Sequence, residues 1–393
     1  MYDYTIIGGG IVGLSVGKAL AEKYPDKKVL LLEKEEELAA HQTGHNSGVI
    51  HSGIYYTPGS FKARFARAGN KSMVEFCEKH NIKYDMCGKV IVATNEQERP
   101  LLENLYERGL QNELDIERLN QEQLLEIEPN VNGLEAIHVK NAGIVDYTEV
   151  SKAFAGIIIE NGGDIHCGEE VQVIDEGTEE VTIETNKATY KTRFVINCAG
   201  LQSDRIAKMA GYHIDMKIVP FRGEYFTLKE DKTHLVKNLI YPVPNPDFPF
   251  LGVHFTRGIH GEIEAGPNAV LGFKREGYKK TDINIKDLAE TLTYKGFVKL
   301  ASKYMKVGMG EMVRSFSKQK FVESLQELVP AIEKDDLVAA PAGVRAQALN
   351  KDGSLVDDFM IIKGKKSLHV CNAPSPAATA SIEIGKEIVN RLG

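Results

Sequence analysis

Between an apolar β run at residues 4–7 and a segment with helical spacing at 11–24, the chain reads Gly8-Gly9-Gly10-Ile11-Val12-Gly13. No other feature restricts the fold as strongly, because the pattern G-x-G-x-x-G at a strand-to-helix junction serves one geometry. Gly8 permits the tight turn, Gly10 lets a pyrophosphate approach the backbone, and Gly13 lets helix and strand pack closely. The free N–H groups of the first helical turn, around Ile11 and Val12, then face the phosphates at the positive end of the helix dipole. The next strand, KVLLL at 28–32, ends in Glu33, followed by Lys34. A carboxylate there accepts the ribose hydroxyls and disfavours a 2′-phosphate, so NADP is the least suited ligand. A second such motif after a strand is lacking, which implies a single bound dinucleotide. Its position at the N-terminus, directly before a Gly/Ser/His-rich loop, favours FAD over NAD.

The βαβ unit argues for a parallel sheet and an α/β fold. The 393 residues suggest two domains. From residue 89 the character changes. KVIVAT reads as a strand and 95–108 as a charged helix. A helix over 148–162 precedes the short strands EEVQVID, EVTIET and TRFVINCAG, and 218–272 is rich in strands and Pro/Gly turns. Residues 283–325 read as mostly helical, and a last helix covers 379–392. The expectation is a Rossmann-type FAD-binding domain (1–85, 145–215 and 335–393). It is interleaved with a smaller α+β substrate domain built on a mostly antiparallel sheet (86–144 and 216–334).

A net charge of −7 argues against a nucleic-acid partner. The five cysteines are scattered without a C-x-x-C pair, which disfavours a disulfide framework or zinc ribbon and fits a reducing cytoplasm. The uncharged stretch 4–17 is too short to span a bilayer and lacks a basic leader, so it reads as neither signal peptide nor anchor. Residues 294–307, YKGFVKLASKYMKV, place Phe297, Leu300, Ala301 and Tyr304 at helical spacing among Lys295, Lys299, Lys303 and Lys306. The plain reading is a solvated surface helix; the sharper one is a peripheral contact with the cytoplasmic face of a membrane.

The loop HQTGHNSGVIHSGIYY at 41–56 holds three histidines, His41, His45 and His51. Gly44, Gly48 and Gly53 break any helix that would align them, and neither acid nor cysteine joins them, so a metal site is not expected. Small residues here suit a loop lying against a flavin, with Thr43, Asn46 and Ser47 near the cofactor. His51 reads either as a base facing the substrate or as a satisfied turn histidine.

This loop resembles the signature of L-2-hydroxyglutarate dehydrogenases (oxidases), flavoproteins of the D-amino-acid-oxidase-like superfamily. So do AGIVDY at 142–147, NCAGLQSDRIA at 197–207, VPFRGEYF at 219–226, YPVPNPDFPFLGVHFT at 241–256, GPNAVLGFKREGY at 266–278, PAGVRAQAL at 341–349 and NAPSPAATASI at 372–382. The resemblance implies FAD-dependent oxidation of L-2-hydroxyglutarate to 2-oxoglutarate, with hydride passing to flavin N5 and electrons to a membrane quinone, dioxygen or another acceptor. Two rivals stand beside it: a flavin enzyme of another small anion (an amino acid or glycerol 3-phosphate), and a non-catalytic dinucleotide-binding redox sensor.

A dicarboxylate needs two cationic anchors. Arg345 in AGVRAQ and Arg222 in PFRGEY lie in uncharged, glycine-flanked contexts, and the planar guanidinium fork suits a carboxylate. Arg345 also matches the superfamily position near the flavin, whereas Arg222 has an ion pair with Glu224 as its alternative. His254 in GVHFT is the first candidate base and His51 the second, with Tyr241, Tyr55 and Tyr56 as hydrogen-bond donors. Val171, Ala199, Gly200 and Gly343 are expected beside the cofactor. Pro374, Ala377, Ala378 and Thr379 are expected to aim a helix start at the flavin's pyrimidine edge.

Overall fold

A computed structural model describes residues 1–245, 251–305, 308, 310, 311, 315 and 317–392. The first strand, Tyr2–Ile7, pairs in parallel with Val29–Leu32 on one side and with Thr189–Asn197 on the other. Asp164–His166 extends the sheet beyond Val29–Leu32, and Ser367–Asn372 extends it beyond Thr189–Asn197, both in parallel. Val29–Leu32 and Ser367–Asn372 are buried throughout, as strands of a sheet covered on both faces are, whereas Asp164–His166 forms a more exposed edge. Met360–Lys363 adds an antiparallel edge, and Val171–Glu176 and Val181–Thr185 form an antiparallel extension.

Helices Ile11–Lys23, Tyr147–Glu160 and Ser381–Asn390 cover the sheet through one apolar core that includes Leu14, Leu20, Val150, Phe154, Ile384 and Ile388. The parallel register aligns Ile7 with Leu32 and with Asn197. Gly8, Glu33 and Cys198 therefore follow at one edge of the sheet. In an open parallel sheet the crevice beyond the strands' carboxyl ends is where ligands bind.

A second sheet of eight strands runs in the order Leu337–Ala339, Phe226–Leu228, Ile263–Gly266, His254–Arg257, Leu239–Pro242, Lys89–Ala93, Glu135–Val139, Ile116–Asn120. All its pairings are antiparallel except Leu239–Pro242 with Lys89–Ala93. Strands Met216–Gly223 and Gly343–Asn350 pair antiparallel over their whole length and carry Arg222 and Arg345. The charged helix expected at 95–108 starts later, at Arg99–Gln111, because Pro100 fits only its first turn.

The basic stretch forms helix Lys295–Lys303, and Lys306 and Val307 lie outside the described residues. Its stripe of Phe297, Leu300 and Tyr304 packs inward on Val219 and Leu349. Among the described residues no helix is long and apolar enough to cross a membrane.

Candidate active site

A cavity of about 2000 Å³ runs from the carboxyl edge of the parallel sheet to the second sheet. Its lining includes the glycine turn at one end and Tyr55, Tyr56, Tyr225, Tyr241, His51, His254 and Arg345 at the other. The turn is built by close packing. Gly8 has φ +111°, and a Cβ on Gly13 would lie 2.0 Å from the Gly8 carbonyl oxygen. Gly13 therefore does not line the cavity; it presses the helix start onto the turn. Gly10, at the helix N-cap, offers no side-chain cap, and the Ile11 N–H donates to Thr43 Oγ1 at 3.0 Å.

Gly8, Gly10, Ile11 and Val12 all line the cavity. A glycine cradle at the start of a 13-residue helix fits a pyrophosphate. Glu33 is buried, and its two carboxylate oxygens accept the N–H groups of Gly9 (2.6 Å) and Glu35 (2.9 Å). This fixes the carboxylate at the cavity wall, with lone pairs left for a diol.

Lys34, Thr43, Asn46, Ser47, Val171, Ala199, Gly200, Gly343, Pro374, Ala377 and Ala378 also line the cavity. Asn46 spends its amide inside its own loop, donating to the Gln42 and Thr43 carbonyls and accepting from the Gly48 N–H. Thr379 does not line the cavity. Its buried hydroxyl accepts the His51 N–H at 3.1 Å and sits 2.8 Å from the Tyr147 hydroxyl, so it ties the histidine loop to the last helix. That helix begins at Ser381 rather than 379.

Of the three loop histidines, His41 joins Glu35 and Glu276 in a cluster whose ligand atoms lie within 4.8 Å of one another. The Lys34 ammonium already occupies it, paired with Glu35 and 3.0 Å from Glu276. One ammonium thus stands between two carboxylates, and the expectation that no acid joins the loop histidines is corrected at His41.

Arg222 is a correction to the expected second anchor. It does not line the cavity: its guanidinium donates to Glu224 at 2.9 Å and to the Lys279 carbonyl at 2.8 Å. Both side chains are about nine-tenths buried, and truncating one partner of a buried pair costs several kcal/mol. Arg222→Met should therefore lower the melting temperature, by the equivalent of about 3 kcal/mol. Affinity for an anionic ligand should stay unchanged, as a melting curve and a titration would show.

His254, by contrast, does line the cavity. Its Nδ1 lies 2.9 Å from the Gly252 carbonyl oxygen. A carbonyl only accepts, so Nδ1 carries the proton and Nε2 keeps its lone pair. The ring packs against that of Tyr241, with centroids 4.0 Å apart and planes tilted by 31°. Burial first, then the charges of Arg345 and Lys89, hold it down to about 4, even against the Gly252 hydrogen bond. His51 is held down to about 3 by burial, Lys89 and His254. Both imidazoles are neutral around pH 7.

Two residues of this cluster escaped the sequence reading. Tyr225 lines the wall near Arg345. Lys89 is 1% exposed, with its Nζ 4.5 Å from the Tyr55 ring centroid and 4.9 Å from that of Tyr241. The signal for Lys89 was in the sequence: a lysine opens an otherwise apolar run, and the resulting five-residue strand is buried throughout.

The family model described as FAD dependent oxidoreductase matches residues 3–391. The chain belongs to this family. It is similar to the L-2-hydroxyglutarate dehydrogenase of Indibacter alkaliphilus, with 53% identity over 98% of this chain and 97% of that protein. The L-2-hydroxyglutarate dehydrogenase of Escherichia coli K12 is 47% identical over 100% of this chain and 93% of that one. Among solved structures, the FAD-bound L-alpha-glycerophosphate oxidase from Mycoplasma pneumoniae shares the fold. Its TM-score is 0.81 at 24% identity, over 100% of this chain and 94% of that one. The glycine oxidase of Geobacillus kaustophilus does so at TM-score 0.75 and 17% identity, over 99% and 94%. The chain is thus an FAD-dependent oxidoreductase, and the glycine cradle, Glu33 and the long cavity are the features that fit its cofactor.

Proposed function

We propose that the chain oxidises L-2-hydroxyglutarate to 2-oxoglutarate. The observation that carries this reading is the neutral base His254 at a cavity that also presents Arg345, joined to a chain-long likeness to L-2-hydroxyglutarate dehydrogenases. When bound, FAD supplies the acceptor for the electron pair leaving the hydroxyl-bearing carbon. The chain's part is to hold the anion and move one proton. Arg345 grips the α-carboxylate through its fork. His254 Nε2 takes the hydroxyl proton while Gly252 fixes the ring from the far side. His51 stands by as a second neutral imidazole, and Tyr241 braces the His254 ring. Gly8, Gly10, Ile11, Val12 and Glu33 hold the dinucleotide, and Pro374, Ala377 and Ala378 border its other end.

This reading assigns 1–85, 145–215 and 335–393 to the cofactor half and 86–144 and 216–334 to the substrate half. The two eight-stranded sheets support it, although the second half's sheet continues to Leu337–Ala339 and Gly343–Asn350 of the cofactor half pairs with Met216–Gly223 of the substrate half. Electrons leave to a quinone or dioxygen. Exposed Ile285, Leu292 and Val298, on two helices that also carry lysines, support a peripheral contact with a membrane that holds the quinone.

Anaerobic L-2-hydroxyglutarate should bleach the yellow holoprotein in a single turnover, and glycerol 3-phosphate or amino acids should not. Persistent colour with L-2-hydroxyglutarate would overturn the reading in favour of a redox sensor. Bleaching by another anion alone would reassign the substrate. Reoxidation with quinone and with oxygen then separates the acceptors.

A further inference from the structure

Arg222 is spent on Glu224, so a dicarboxylate in this cavity needs its second positive charge from elsewhere. Among the described residues, Lys89 is a buried cation without a counter-charge. It sits at the start of the central strand Lys89–Ala93, in register with Leu239 and Val139, and is 1% exposed. Its ammonium rests against the rings of Tyr55 and Tyr241, both of which wall the cavity. Among the described residues no carboxylate pairs with it, and the Tyr55 hydroxyl beside it is itself buried without a partner. Cation–π contact offsets only part of the cost of removing an ammonium from water. Lys89 itself does not line the cavity; it stands behind the two rings that do, and a charge left in this state is balanced when an anion arrives on their other side.

We propose that Lys89, acting across the Tyr55–Tyr241 pair, is the specificity-determining cation for the substrate's second carboxylate and selects dianions over monoanions. The inference rests on the proposed reading for its substrate, but it concerns binding and needs no turnover. It also makes dianion binding depend on pH. The groups facing Lys89 are Tyr55 and Tyr241, both pushed upward by burial, and His51 and His254, held at about 3 and about 4. Lys89 itself is pushed down to about 7 by burial. It therefore loses its charge above neutrality, whereas its neighbours keep theirs constant. Glu264, raised to about 7, titrates in the same range but reaches the cluster through Tyr225. Glu264→Gln separates the two.

The test uses FAD-loaded protein and two non-reactive acids of equal length, glutarate and pentanoate, with binding read from the flavin absorbance. Lys89→Met should weaken glutarate by about 30-fold or more and leave pentanoate within about twofold. Equal loss for both acids, or no loss for either, overturns the proposal. Should Lys89→Met fail to hold FAD, the unsubstituted protein and Glu264→Gln decide the matter. In both, the glutarate dissociation constant should rise about tenfold per pH unit above 7 while that of pentanoate does not. A flat glutarate curve, or one that Glu264→Gln flattens, overturns the proposal. Failure of L-2-hydroxyglutarate to bleach the flavin would count against the substrate assignment alone.

Discussion

Replacing His254 by alanine should slow anaerobic flavin reduction about 10²–10⁴-fold, the usual worth of a positioned base, and change substrate affinity far less. The expectation follows from how the ring is held. Nδ1–H is committed to the Gly252 carbonyl, the ring is packed against Tyr241, and burial with the charges of Arg345 and Lys89 keeps the imidazole neutral. A base needs its lone pair vacant, and this histidine keeps Nε2 vacant over the whole neutral range. The sign in pH is fixed by the same facts. With the pKa depressed to about 4, the base is competent above that value and lost below it. The acid limb of the reduction rate should therefore lie well under the 6.5 of a free imidazole. Stopped-flow reduction across pH, with the flavin spectrum as a check that FAD is retained, measures both. Unchanged reduction in the alanine variant would move the base to His51.

How much of this was legible beforehand depended on the range of each interaction. The glycine turn, the buried strand ending in Glu33 and the parallel pairing followed from local pattern, because each is enforced within about thirty residues by one βαβ unit. The cavity position of His254 was also readable, since it alternates with apolar neighbours on its strand. Arg222 reads from sequence much as Arg345 does: both are flanked by uncharged residues and glycine. What separates them is Glu224, two residues on, with the Lys279 carbonyl on a distant segment closing the other side of the guanidinium. Thr379 looked like a cofactor contact, yet its hydroxyl is consumed by Tyr147 and His51, partners hundreds of residues away. Lys89 lay in plain view, but a lysine at a strand's first residue usually points to solvent. Only the juxtaposition with Tyr55 and Tyr241 shows otherwise. In the basic helix, periodicity found the apolar stripe, and the fold decided that Phe297, Leu300 and Tyr304 face the body of the protein.

Gly13→Ala should yield protein that purifies without its yellow colour and melts at a lower temperature, and added FAD should not restore it. The added methyl would lie 2.0 Å from the Gly8 carbonyl oxygen, a distance no Cβ tolerates, and the atom it meets is backbone. Relief by moving Gly8 is closed off. That residue sits at φ +111°, and its own α-carbon packs so tightly on the Cys198 carbonyl that a Cβ there would lie at 2.5 Å. The helix must instead retreat from the strand, which carries the N–H groups of its first turn away from the pyrophosphate and opens the packing of Leu14 in the core. Gly156→Ala is the matched comparison. It lies within helix Tyr147–Glu160 with nothing within 4 Å of the added carbon. Alanine there should keep the flavin and raise stability by up to about 1 kcal/mol, the difference in helix propensity. Flavin absorbance per protein and melting temperature, measured on both variants, distinguish a cofactor cradle set by one close contact from a helix that merely dislikes substitution. Full flavin content in Gly13→Ala would refute the former.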